Sequence, residues 1–105
     1  MKKYRKRIAD DILKRKLEGK GAVLIEGPKW CGKTTTAEQI AASVLYMDDP
    51  EKKAQNITMA ELSPKRLLKG EAPRLIDEWQ LAPKIWDAIR FEIDHGGELG
   101  RFILT

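Results

Sequence analysis

Cysteine and histidine occur once each in 105 residues, which excludes an internal disulfide and leaves no Cys/His cluster for a zinc site. No apolar run approaches the roughly 20 residues that a membrane-spanning helix needs. The N-terminus MKKYRKRIADD lacks the apolar segment of a signal peptide. A cytoplasmic protein without a membrane partner is therefore expected. A chain this short is one small domain or part of a larger one, and it buries a modest core. It has no repeat, low-complexity tract or long linker.

Charge is abundant but unevenly placed. Residues 1–20 carry nine Lys/Arg against three Asp/Glu, whereas the rest of the chain is slightly acidic and the net charge is +4. Such a segment can meet nucleic acid or an acidic protein partner. Ile8, Ile12, Leu13 and Leu17 also give it an apolar side, so the same charges fit the solvated face of a helix packed on a domain.

The most informative stretch is Gly27-Pro28-Lys29-Trp30-Cys31-Gly32-Lys33-Thr34, which has the spacing of a phosphate-binding loop: Gly, four free positions, Gly, Lys, then Ser or Thr. A loop that wraps a polyphosphate turns its backbone N–H groups inward, and glycines at 27 and 32 permit the required dihedrals and close approach. Lys33 would set its ammonium among the β and γ phosphate oxygens. Thr34 would offer a hydroxyl to Mg²⁺, a hard ion that prefers oxygen. A helix opening at Lys33 adds unpaired N–H groups and a positive dipole end. The nucleotide-binding set is then Gly27, Pro28, Lys29, Trp30, Cys31, Gly32, Lys33, Thr34 and Thr35. Cys31 reads as a small residue at a free position of the loop rather than as a thiolate nucleophile.

The flanks suit this loop. Ala22–Glu26 is an apolar run of strand length, and Ala37, Ile40, Ala41 and Val44 recur at helical spacing after it. A first helix is expected over about Tyr4–Leu17, ended by Gly19 and Gly21. Val44-Leu45-Tyr46-Met47 forms a candidate second strand before Asp48-Asp49-Pro50. Ser63-Pro64 reads as an N-cap followed by proline at the first helical position, with Gly70 as a stop. Leu81, Ile85, Ala88, Ile89 and Ile93 mark a later helix, and Arg101–Thr105 a buried strand. Strands alternating with helices imply a parallel sheet covered on its faces, an α/β fold.

The second half of the chemistry falls in Pro73-Arg74-Leu75-Ile76-Asp77-Glu78, a short strand ending in two acids. Asp77 is the natural acid on the metal side, and Glu78 the candidate to polarise an attacking water. Asp94-His95-Gly96-Gly97 imitates the Asp-x-x-Gly of GTPases, but it falls at a helix end and no Asn-Lys-x-Asp motif accompanies it. His95 reads as a solvated cap residue. Trp30, Trp79 and Trp86 could stack on a base, yet their spacing suits packing.

Gly21–Thr35, Leu75-Ile76-Asp77-Glu78-Trp79-Gln80 and the terminal Phe102-Ile103-Leu104-Thr105, in that order, resemble prokaryotic AAA-type ATPases of the AAA_14 family, in which a domain called DUF4143 usually follows. The resemblance implies an ASCE-type P-loop NTPase fold with ATP as ligand, Gly27, Gly32, Lys33 and Thr34 as Walker A, and Asp77 and Glu78 as Walker B. It makes Thr105 a polar strand end like sensor 1, hydrogen-bonding near the γ-phosphate. It also implies that the terminal strand lies between the two motif-bearing strands. On this basis residues 1–20 form a basic N-terminal helix, and residues 21–105 a partial P-loop ATPase domain, truncated after the fourth strand. A strand flanking Ala22–Glu26, any sensor 2 and any arginine finger would lie elsewhere, and the fragment alone would bind nucleotide without sustaining turnover.

The expected function is ATP binding and Mg²⁺-dependent hydrolysis, with Glu78, Lys33 and Thr105 catalytic and Thr34 and Asp77 holding the metal. The full-length protein is a candidate homo-oligomer. The alternative is an ATP-gated switch that binds nucleic acid or a protein through the basic N-terminus. Phosphotransfer to a small molecule would need an acceptor pocket and a lid, and no sequence mark of either is present.

Overall fold

The computed structural model describes residues 8–25, 33–96 and 98–105, without the side chains at 8–12, 14, 33 and 34. In chain order the elements are α1 (Ile8–Gly19), β1 (Ala22–Leu24), α2 (Lys33–Ile40), β2 (Ser43–Tyr46), α3 (Lys53–Leu62), α4 (Pro64–Leu67), β3 (Arg74–Asp77), a 3₁₀ turn (Trp79–Leu81), α5 (Lys84–Gly96) and β4 (Phe102–Leu104). The four strands form one parallel sheet in the order β1-β4-β3-β2. The last strand in sequence thus lies between β1 and β3, as the resemblance implied.

Two apolar layers explain why the middle strands read as unbroken hydrophobic runs. Successive side chains of a strand point to opposite faces, so a strand covered on both sides needs an apolar residue at every position. Leu75 and Ile103 join Leu13, Leu17, Val23 and Ala37 under α1 and α2. Their neighbours Ile76, Phe102 and Leu104 join Met47, Ala60, Leu67, Ile85 and Ile89 under α3, α4 and α5. Gly21 sits where α5 passes close to the start of β1; a Cβ there would lie 2.7 Å from Ile93 Cγ2.

Several boundaries differ from the sequence-based expectation. α2 stops at Ile40, and Val44, which fits both the end of its stripe and the start of the second strand, belongs to the strand, where it pairs with Leu75 across β2 and β3. The cause is non-local: Ala42 N donates to Pro73 O at 2.7 Å, so the backbone is captured by the entry to β3. Val44 still packs in the same layer as Ala37, Ile40 and Ala41. β1 ends at Leu24, although Ile25 N donates to Leu104 O at 2.8 Å and prolongs the pairing by one bond. Glu78 is outside β3, in the left-handed region at φ 58°. Pro64 opens α4 as expected, but Ser63 makes no side-chain cap. α5 runs through Gly96. α1 is described from Ile8, and the expected start at Tyr4 lies outside the described residues.

Candidate functional site

In a parallel α/β sheet, ligands collect where strands end and loops begin, at their carboxyl ends. β3 ends in Asp77, β4 leads directly into Thr105, and β1 leads toward residues 26–32. The expected loop residues Gly27, Pro28, Lys29, Trp30, Cys31 and Gly32 lie outside the described residues. Lys33 and Thr34 are the first described residues of α2, where the sequence places the loop helix, but their side chains are likewise outside the description. Thr35 is exposed and Thr36 buried on the same turn.

Strand order brings Thr105 and Asp77 together across 28 residues of sequence. The Thr105 hydroxyl donates to Asp77 Oδ1 at 2.7 Å, with both side chains buried. The backbone reinforces this contact. Thr105 N donates to Ile76 O at 3.1 Å, and Thr105 O accepts from Glu78 N at 2.8 Å and Trp79 N at 3.4 Å. Thr105 thus grips the end of β3 from both sides. Thr105→Val keeps the shape and removes the donor, so it should lower unfolding free energy by about 0.5–1.5 kcal/mol, the usual contribution of one hydrogen bond. Thr105→Ser should lose less. Urea titration of the three proteins checks this, and equal midpoints would contradict it.

Immediately beyond the grip, Glu78 adopts φ 58° and ψ 42° and turns the chain into the 3₁₀ turn. A left-handed conformation costs a non-glycine residue roughly 1–2 kcal/mol. The two bonds to Thr105 O and the bond from Leu81 N to Glu78 O at 3.2 Å help to hold it. Gln80 Nε2 donates to Glu78 Oε2 at 2.5 Å, which fixes the direction of the half-buried carboxylate. On the other flank, Tyr46 lies opposite Asp77 in register, and Met47 N donates to Asp77 O at 3.1 Å. The Tyr46 hydroxyl donates to Glu38 Oε2 of α2. This bond, then burial, then the charges of Glu38 and Asp77 push the phenol up to about 12.

The remaining sequence candidates fall elsewhere. Trp79 and Trp86 pack on the α5-side core, their rings 5.9 Å apart and tilted by 40°, as their spacing suggested. His95 is exposed in the last turn of α5, stacked on Phe91 with Nδ1 2.9 Å from Phe91 O, and off the strand ends. The sequence pattern did not mark Glu38, Tyr46 or Gln80 for a role. Only the resemblance to a Walker B segment included Gln80, and nothing local foreshadowed the Tyr46–Glu38 bond.

A family model described as an AAA domain matches residues 19–105. The chain belongs to the AAA_14 family. That membership places the AAA domain among nucleotide-binding proteins of ATPase type. No curated protein and no solved structure matches the chain. No described helix is long and apolar enough to cross a membrane. Among the described residues no three His, Cys, Asp or Glu side chains converge as a metal cage. Mg²⁺ does not require such a cage, since it keeps several waters and is bound through one or two carboxylates and nucleotide phosphates.

Proposed function

We propose that this AAA domain binds ATP with Mg²⁺ and that its catalytic groups are arranged for hydrolysis of the γ-phosphate. The observation that carries the proposal is the buried Thr105–Asp77 bond, on a strand interposed between the one that feeds the loop and the one that bears the acids. Residues 1–20 form its basic N-terminal segment, and residues 21–105 its P-loop part.

Gly27 to Thr35 cradle the phosphates, and Lys33 holds the β and γ oxygens by charge. Thr34 and Asp77 would hold Mg²⁺, with Asp77 kept in orientation by the Thr105 hydroxyl. The bound ion would neutralise charge on the phosphates and fix their geometry. Glu78, directed by Gln80, orients water and accepts its proton. Thr105, at the tip of β4, would contribute a polar group near the γ-phosphate. Exposed Arg15, Lys16 and Lys20 keep an ATP-gated nucleic-acid or protein switch as the alternative. Salt-dependent binding to DNA or RNA would favour it.

Lys33→Ala tests the site. Loss of a charged hydrogen-bond donor to phosphate should weaken ATP binding by about 10–100-fold, following the 1.5–3 kcal/mol such bonds contribute. Calorimetry on the folded variant gives the answer, and unchanged affinity would refute the loop assignment.

A further inference from the structure

We infer that Tyr46 and Glu38 form a positioning pair that sets the separation between the helix and the strand from which the metal's two protein ligands come. The inference rests on the proposed ligands, Thr34 on α2 and Asp77 on β3. These positions belong to different elements, so affinity for the ion depends on how α2 is seated against the end of β3. Small side chains provide part of that seat. Among the described side chains of α2, Thr36 and Ala37 are buried, and Ile40 is half-buried. Apolar burial is non-directional, so it does not by itself fix how α2 is turned against the strand ends.

Tyr46 supplies the missing constraint. Its backbone is tied to its neighbours: Tyr46 O accepts from Asn56 Nδ2 of α3 at 3.2 Å and from Asp49 N at 3.3 Å, and Tyr46 is in register with Asp77. Its ring then spans to α2, where the hydroxyl donates to Glu38. Position 34 lies one helical turn before Glu38, and residues four apart share a helix face. The phenol–carboxylate bond therefore holds the part of α2 that carries the proposed hydroxyl ligand beside the strand end that carries the acid. A phenol keeps its proton at neutral pH, so Tyr46 is the donor in this bond.

Both partners are exposed, Tyr46 to 39 %, so the bond contributes little to global stability. Its effect should appear in metal affinity. Removing an outer-shell partner typically costs 10–100-fold in metal affinity, and solvent exposure lowers the expectation to about three- to tenfold.

The experiment titrates Mg²⁺ against ATP binding in wild type, Tyr46→Phe, Glu38→Ala, Glu38→Gln and Asp77→Asn, with ATP affinity in EDTA and thermal melting measured on each. Tyr46→Phe and Glu38→Ala should raise the half-saturating Mg²⁺ concentration about three- to tenfold, leaving metal-free ATP affinity and melting close to wild type. Glu38→Gln retains an acceptor oxygen and should restore most of the difference. An unchanged Mg²⁺ requirement in Tyr46→Phe and Glu38→Ala, while Asp77→Asn raises it, overturns the positioning role alone. Equal losses of metal-free affinity, or a Glu38→Gln variant no better than Glu38→Ala, also overturn it. If wild type shows no Mg²⁺-dependent ATP binding, or Asp77→Asn matches wild type, the proposed metal site fails and the inference fails with it.

Discussion

Glu78→Gln should bind ATP as tightly as wild type and lose turnover by about 10²–10⁴-fold, the range for removing a positioned general base. The two side chains have nearly the same shape, so the backbone has no reason to move. Glu78 N remains bound to Thr105 O at 2.8 Å and Glu78 O to Leu81 N at 3.2 Å. What disappears is the charge that polarises water, while the Gln80 amide loses its carboxylate partner. Asp77→Asn should behave differently by raising the Mg²⁺ requirement as well. Phosphate release, with ATP affinity measured alongside, distinguishes the two. A Glu78→Gln rate equal to wild type would remove Glu78 from the chemistry.

Phe102→Ala is expected to cost about 3–5 kcal/mol, the range for deleting a buried aromatic side chain. Phe102 is 1 % exposed on the strand that lies between β1 and β3, and it packs in the same cluster as Ile85, Ile89 and Ile76. A domain of this size has about 5–15 kcal/mol of stability in all, so the variant should lose a large share of it. Leu62→Ala is the natural comparison. Leu62 is 80 % exposed, and its truncation should change stability by no more than about 0.5 kcal/mol. Urea titrations of both variants provide the test, and comparable midpoints would contradict the two-layer core.

Signals carried by short spacing were read directly from the sequence. The glycine and lysine positions predicted a loop followed by a helix from Lys33; the helix is described from Lys33, and the loop lies outside the described residues. Alternation of apolar runs with helical stripes predicted a parallel α/β sheet, and β3, β4 and α5 fall within or close to the expected ranges. α3 was missed for a physical reason: among its ten residues only Asn56 and Ala60 are buried, so almost no apolar periodicity marks it. Val44 fits both a helical stripe and the second strand in the sequence, and the structure puts it on the strand. The Pro73 carbonyl, distant in sequence, settles the choice by taking the Ala42 amide.

The candidate site divides in the same way. The sequence by itself determined the phosphate-loop pattern, the acidic strand end and the family, because each depends on residue type at fixed short spacing. Tertiary structure decided which of these groups touch. It spends the Thr105 hydroxyl on Asp77 across 28 residues, turns Glu78 out of its strand and into reach of Gln80, and ties Tyr46 to Glu38. Those contacts follow from strand order and register, which arise from burying both faces of β3 and β4 at once. No local window of the chain contains that constraint.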